Sequence, residues 1–542
     1  MRFKKYIPFL FYLLLLLGCL AIVMTVGRLA GTQEGDPEAS SDASLSGEDG
    51  SPEPGGQPEP ERQPEPEAPL PEGEGTETPG RPRQPDRDSW HLDEWPDETE
   101  TVPDQEPYRP PAVMLASDLH YISRATHDGG TAFQEMVAQD DGKISEFSDE
   151  LIDTLVEEAV ISKPSALVLT GDITLNGERE NHQRLAEKLR RAFREGVPVL
   201  VVPGNHDIKN RNAASYFGEE REEAQYLESA QDFYDIYHEF GYDQAISRDE
   251  SSLSYLYALD KTHWILMLDT CRYEDYNHVS GRVKPETMEW LEGWLIQARE
   301  EGITVLPAGH HNLLSESRLY TTECTMENHR DVIGLFETYG LPLYVSGHLH
   351  AQRIKKHKPE PGTAEDAYGI QEIVLPPYSI PPCQYGWLEW QADGGMQFRT
   401  RQADVEGHAR RMGSGDGRLL RFKEYGAEYM KGIVGNQARK TLKAIPEDLK
   451  EEMAGLYGEL YYAYCAGNGM SQDRIQATRA YRLWERIAPD SRYVKDMGQM
   501  IEDVRLAAEC TRPVSLCNRA GGMIPSPDQV LESIRKAQKG EM

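Results

Sequence analysis

The chain has little cysteine, no basic stripe and no internal repeat. Seven cysteines are scattered through 542 residues, with no C-x-x-C pair and no Cys–His spacing of a zinc-finger kind. Cys510 and Cys517 are close enough in sequence to bridge, and most of the others read as small buried hydrophobes. Without a cluster of Lys and Arg, nucleic acid is disfavoured as a partner. Aliphatic side chains are nearly missing from one long stretch. From Thr32 to Glu106 there are 23 Asp and Glu against 4 Arg, a balance of -19 within a net charge of -34. That stretch is also rich in Pro, Gly and Ser, and it lacks the apolar surface needed to offset chain entropy. It reads as a disordered acidic tether, so most of the charge is solvated linker.

What is present at the start of the chain bears on compartment. Arg2, Lys4 and Lys5 precede an apolar run from Tyr6 to about Val26, close to the ~20 residues that a helix needs to cross a bilayer. Basic flanks stay cytoplasmic, which predicts a single-pass anchor with the remaining chain outside. A cleaved signal peptide and a lipoprotein are the other readings, the second from Leu16-Leu17-Gly18-Cys19. All three export the body. The expected organisation is therefore an anchor or signal over 1–31, a tether over 32–110, a folded core over 111–401 and a helical region over 402–542.

Through the core, short apolar runs alternate with amphipathic ones. Strands are expected at Ala112–Ala116, Ala166–Thr170, Val197–Val202, Ile303–Leu306 and Leu343–Val345, with a hairpin over Leu253–Leu268 turning at Asp260-Lys261. Helices are expected at Glu150–Ile161, capped by Ser148 or Asp149, at Glu178–Arg194, around Ala230–Phe240, and at Pro285–Glu300 with Pro in the first turn. This is the pattern of an α/β fold with helices on the faces of a sheet. Beyond Leu420 the period becomes helical, with Leu456, Leu460, Tyr461, Tyr464, Leu483 and Ile487 forming an apolar stripe that reads as the core of a small bundle.

The polar residues that follow the strands carry the chemistry. Asp118 and His120 follow the first, Asp172 the second, Asn205 and His206 the third, His310 a fourth, and His348 and His350 a fifth. In α/β sheets ligands bind in the crevice at strand ends, so these residues are expected to meet. Carboxylate, imidazole and amide together suit Mn, Fe or Zn. Such a pair of ions, about 3.5–4 Å apart, provides the nucleophile and the charge cancellation that phosphate ester hydrolysis demands.

The ordered blocks Asp118-Leu119-His120, Gly171-Asp172, Gly204-Asn205-His206-Asp207, Gly309-His310 and Gly347-His348-Leu349-His350 resemble those of the calcineurin-like metallophosphoesterases. The resemblance spans roughly residues 112–400. It implies a four-layer αββα fold, a two-sheet β sandwich flanked by helices, and two metal ions sharing a bridging hydroxide nucleophile. Carried over by position, Asp118, His120, Asp172 and His350 hold one ion. Asp172, Asn205, His310 and His348 hold the other, with Asp172 as bridge. His206 matches the family histidine near the leaving group, and Asp207 is expected to orient its ring. The family pattern H-x-P has Asn312 in place of Pro here, which leaves His311 as the rival to His310. Of the histidines outside the blocks, His182 is the one that could also face the pocket.

Within the family, the Arg of the protein phosphatase block G-D-x-V-D-R-G is missing, and so is the Tyr that purple acid phosphatases place beside the second Asp. The chain looks more like the branch of cyclic-nucleotide phosphodiesterases and related bacterial phosphodiesterases. The expectation is hydrolysis of phosphate esters, diesters first, on small-molecule or cell-envelope substrates chosen by loops such as Ile208–Glu222 and Asp275–Arg282. A phosphomonoesterase of the same fold, or a non-catalytic scaffold binding through its helical C-terminus, are the alternatives.

Overall fold

The computed structural model describes residues 110–314, 323–357, 369–443, 445–468, 472–498 and 500, together with the backbone of 514–516. The apolar run at Tyr6–Val26, the acidic tether and the Cys510/Cys517 pair lie outside these residues. Among the described residues no helix is long and apolar enough to cross a membrane.

Fifteen strands are described: β1 (Ala112–Ala116), β2 (Ala166–Thr170), β3 (Val199–Val202), β4 (Ala214–Phe217), β5 (Glu220–Glu223), β6 (Ser247–Arg248), β7 (Tyr255–Ala258), β8 (His263–Leu268), β9 (Thr304–Gly309), β10 (Leu343–Ser346), β11 (Arg353–Lys356), β12 (Gln371–Val374), β13 (Gln384–Trp390), β14 (Met396–Gln402) and β15 (Val514–Leu516). They form a six-stranded sheet in the order β15-β14-β13-β1-β2-β3, a seven-stranded sheet in the order β11-β12-β10-β9-β8-β7-β6, and the small β4-β5 ribbon. Strands β1, β2 and β3 are parallel, as are β8, β9, β10 and β12.

The sequence period explains the layering. In β8, Ile265 and Met267 join the core shared with the first sheet, whereas Trp264, Leu266 and Leu268 face the opposite way. In β10, Leu343 and Val345 point to the first sheet and Tyr344 to the other side. A strand whose two faces are both covered reads as continuous apolar sequence, as β1, β2 and β3 do. The second face of the seven-stranded sheet is covered by helices Pro285–Glu301 and His329–Thr338, through Leu291, Trp294, Leu295, Val332 and Phe336. The six-stranded sheet is covered by helices Ser148–Ser162 and Arg179–Arg194, through Leu151, Leu155, Ala159, Leu185 and Leu189. Helix, sheet, sheet and helix make the four-layer αββα sandwich.

Three local expectations are revised. Neither Ser148 nor Asp149 caps the helix that they begin. Ser148 Oγ accepts from the Ile122 amide at 3.1 Å and Asp149 accepts from Tyr121 Oη at 2.7 Å, so both tie the loop after β1 to the helix. The helix at Ala230 ends at Tyr237, and a wider turn follows over His238–Tyr242. The C-terminal region is not wholly helical, since β15 pairs antiparallel with β14 at the sheet edge. Its helices Phe422–Thr441, Glu447–Cys465 and Arg479–Ile487 bury Leu460, Tyr461, Tyr464 and Leu483 in one cluster, with Leu456 and Ile487 packed against it.

Candidate metal centre

Five strands end where the polar blocks begin. Because β1, β2 and β3 run parallel in one sheet and β9 and β10 run parallel in the other, their C-terminal ends open on the same side of the sandwich. The backbone turns sharply there. Asp118, His120, Asp172, His348 and His350 all have φ between 39° and 67°. Non-glycine residues in this region cost of order 1–3 kcal/mol each, and such strain collects where side chains must be aimed. The strand-end loops also touch one another. A Cβ at Gly204 would collide with the backbone nitrogen and carboxylate of Asp172, and one at Gly347 with Ser117 Oγ and Asp118. The glycines of these two blocks are therefore set by close approach.

The side chains converge in two groups joined at Asp172. On one side His350 Nε2 lies 3.4 Å from Asp118 Oδ1 and 3.0 Å from His120 Nε2, and His120 Nε2 is 3.8 Å from Asp172 Oδ2. On the other, His310 Nε2 lies 3.3 Å from Asp172 Oδ2, 3.1 Å from Asn205 Oδ1 and 3.2 Å from His348 Nδ1. Asp118, His120, Asp172 and His350 thus bring ligand atoms within 4.8 Å of one another, and so do Asp172, His310 and His348. Asn205 joins the second group as an amide oxygen.

This donor set fits metal ions. Imidazole nitrogens face one another and face carboxylates, with nitrogen and oxygen donors only, which suits divalent first-row cations. The electrostatics agree. Burial pushes the His310 pKa down, yet the Asp172 and Asp118 carboxylates outweigh it and hold it up at about 9. Burial opposes charge on Asp172 too, but the neighbouring imidazoles hold its carboxyl well below the usual range. The pocket favours positive charge between its carboxylates. His310 is also oriented for ligation, because its Nδ1 donates to the Thr170 carbonyl at 2.9 Å and its Nε2 faces Asp172, where a bound cation would take the place of the ring proton.

Residues 111–352 match the family model described as calcineurin-like phosphoesterase, and residues 404–505 match that of the C-terminal domain of cyclic nucleotide phosphodiesterase. Residues 111–352 form a calcineurin-like phosphoesterase domain. Solved structures similar to it include a dimetal phosphatase from Danio rerio, at 15% identity, 55% of this chain, 97% of that one and a TM-score of 0.41. Another is purple acid phosphatase PPD1 of yellow lupin (Lupinus luteus), at 14% identity, 55% of this chain, 53% of that one and a TM-score of 0.39. No curated protein matches the sequence significantly. With a calcineurin-like phosphoesterase domain and this pair of ligand groups, the protein is a binuclear metal-dependent hydrolase of phosphate esters.

In the phosphoesterase pocket the two neighbouring histidines separate cleanly. His311 spends both ring nitrogens elsewhere, Nδ1 on Thr270 Oγ1 at 2.8 Å and Nε2 on the Val279 carbonyl at 2.9 Å. His310 is the one that meets Asp172. His206 stands at the rim, with Nε2 4.0 Å from Asp172 Oδ2 and its ring edge-on to His120 at 4.8 Å.

Two expectations need correction. Asp207 does not orient the His206 ring. It is buried, and its carboxylate accepts from the amides of Ile173, Thr174 and Gly204 and from Thr174 Oγ1, at 2.7–3.2 Å. The turn after His206 sends the Asp207 side chain under the loop, and the ring is held by the Leu175 carbonyl, 2.7 Å from Nδ1. His182 does not face the pocket either. Its buried ring bonds Tyr237 Oη through Nδ1 and Thr174 Oγ1 and the Asp207 carbonyl through Nε2.

The sequence reading missed Asp141, whose Oδ2 lies 2.7 Å from His350 Nδ1. It follows no strand, and its only local sign is the acidic pair Asp140-Asp141 before Gly142-Lys143. Asn312, in place of the family's Pro, donates its amide to the Gly347 carbonyl at 2.9 Å and to Ser346 Oγ at 3.0 Å, tying the His310 loop to the His348 loop.

Proposed function

We propose that the protein hydrolyses phosphodiesters outside a membrane to which its N-terminal segment anchors it. The observation that carries the hydrolytic part is Asp172, whose Oδ2 stands 3.3 Å from His310 Nε2 and 3.8 Å from His120 Nε2, between the two ligand groups. On this reading Asp118, His120, Asp172 and His350 hold one ion, and Asp172, Asn205, His310 and His348 the other. The ions are Mn, Fe or Zn, since the donors are nitrogen and oxygen without thiolate. When bound, they supply a nucleophile at neutral pH and cancel charge on the phosphoryl oxygens.

The remaining steps fall to side chains. The five blocks, Asn205 among them, would fix the phosphoryl group's place in the cleft by holding the ions. His206 has Nδ1 on the Leu175 carbonyl, which turns Nε2 toward the rim, where it can pass a proton to a leaving oxygen. Asp207 keeps the His206 turn in place through the amides beneath it.

The diester preference is supported by the missing phosphate-clamping Arg and by the match of 404–505 to the C-terminal domain of a cyclic nucleotide phosphodiesterase. The outside location is supported by the basic flank and apolar run of residues 2–26. Treated as a random coil, the acidic Pro-rich stretch of some 75 residues would reach roughly 50 Å, enough to work in or through a cell envelope. Nucleotides, glycerophosphodiesters and envelope polymers or lipid head groups are substrates of the right chemistry. The test is turnover of bis-p-nitrophenyl phosphate against p-nitrophenyl phosphate by the Mn-loaded protein, with and without chelator. Faster, chelator-sensitive diester cleavage supports the reading. No turnover with Mn, Fe or Zn sinks hydrolysis, and faster monoester cleavage sinks the diester preference. Recovery of the protein from cytosol on fractionation sinks the location.

A further inference from the structure

Loop Asp140–Ile144 lies between helix Thr131–Gln139 and helix Ser148–Ser162, outside every family block. Asp141 Oδ2 is 2.7 Å from His350 Nδ1, and its Oδ1 is 2.5 Å from Lys143 Nζ, which also meets Asp140 Oδ1 at 2.9 Å. With Nδ1 held on this carboxylate, the His350 ring is fixed with Nε2 facing Asp118, 3.4 Å from its Oδ1.

The loop is gripped by the C-terminal helices. Tyr429 Oη donates to the Lys143 carbonyl at 3.1 Å, and Gln437 Nε2 donates to the Asp140 carbonyl at 2.7 Å. Gly142 has φ of 99°, and a Cβ there would strike the Met430 side chain. The same helices reach His350 from its other side. Leu349 and Ala351, which flank it, are buried in the cluster formed by Met430, Val434, Tyr461 and Trp484 of the bundle.

We infer that the C-terminal helical region is a structural part of the metal centre, and that Asp141 is a positioning residue which the bundle holds against His350. This rests on the two-ion reading above. Carboxylates that orient a ligating imidazole typically contribute 10–100-fold to metal affinity. Through Asp141 the helices therefore act on the Asp118–His120–His350 group, the one to which His350 belongs.

The experiment is Mn titration of chelator-stripped full-length protein by calorimetry, with circular dichroism to establish folding. Wild type is expected to show two sites. Asp141→Asn weakens one of them by about 10–100-fold and leaves the other unchanged. The pair Tyr429→Phe and Gln437→Ala, which touches no residue of the pocket, weakens the same site by a smaller factor and keeps the inference testable if Asp141→Asn fails to fold. Asp141→Glu restores part of the affinity. Two unchanged sites in folded Asp141→Asn overturn the inference, as does equal weakening of both. Absence of Mn binding by wild type overturns the two-ion reading itself.

Discussion

The side-chain amide of Asn312 donates to the carbonyl oxygen of Gly347 at 2.9 Å, so the loop that carries His310 and the loop that carries His348 are bolted together across two strands. Glu372 completes the joint by accepting from the amides of Leu313 and Leu314 and from Ser346 Oγ, each at 2.7 Å. Asn312→Ala leaves the buried Gly347 carbonyl without this donor. The expected cost is about 1–3 kcal/mol of stability. Mn affinity at the His310–His348 group should fall with it, and chemical denaturation with a parallel Mn titration checks both. An unaltered melting curve and affinity would show that the joint is dispensable.

Asn205 and His206 are neighbours in sequence with different tasks. Asn205→Ala removes an oxygen 3.1 Å from His310 Nε2 and is expected to lower metal content and rate together. His206→Ala should retain both metals and lower kcat by about 10²–10⁴, more for poor leaving groups than for p-nitrophenolate. Metal analysis beside a leaving-group series separates the two. Equal metal loss in both variants contradicts the acid role of His206.

Stripping the protein with chelator should abolish hydrolysis and lower its melting temperature. A ligand bound only by the folded state stabilises it by about 4.1 kcal/mol at 1,000 times its Kd, so returning Mn should restore the transition in a concentration-dependent way. A melting temperature indifferent to Mn up to millimolar levels counts against a folded-state cation site.

Glu158 provides a pH signature away from the pocket. Burial raises its pKa from 4.5 to about 7, although the Asp404 amide donates to it at 3.2 Å. The folded-state value lies above the unfolded one, so the contribution of the neutral carboxyl is fully present below about pH 4.5 and is lost as pH rises through about 7. Glu158→Gln is permanently neutral. It should match wild type near pH 4.5 and exceed it by about 1–2 kcal/mol near pH 8, after discounting for partial exposure. Urea denaturation at the two pH values decides, and equal stability of the variant and wild type at the higher one removes the argument.

The reading of the site from sequence worked where chemistry sits at strand ends. Asp118, Asp172, Asn205, His310 and His348 each follow a short apolar run, and parallel strands leave their C-terminal ends no choice but to gather. Residue type then limits the chemistry to nitrogen and oxygen ligation. The helical stripe of Leu460, Tyr461 and Tyr464 was legible for the same reason, being a local period. His182 and Asp207 were misplaced because a motif position says which strand end a residue occupies and nothing about which way the next turn sends its side chain.

By itself, then, the amino-acid sequence determined the layered α/β fold of this phosphoesterase and the set of metal-seeking side chains, since both arise from short-range periodicity and from what each side chain can ligate. Tertiary structure alone decided that His310 and not His311 meets Asp172, that Asn312 ties the His310 loop to the His348 loop, and that Asp141 from a loop held by C-terminal helices orients His350. Those relationships join residues dozens to hundreds of positions apart through single hydrogen bonds, and such contacts leave no periodic trace along a chain.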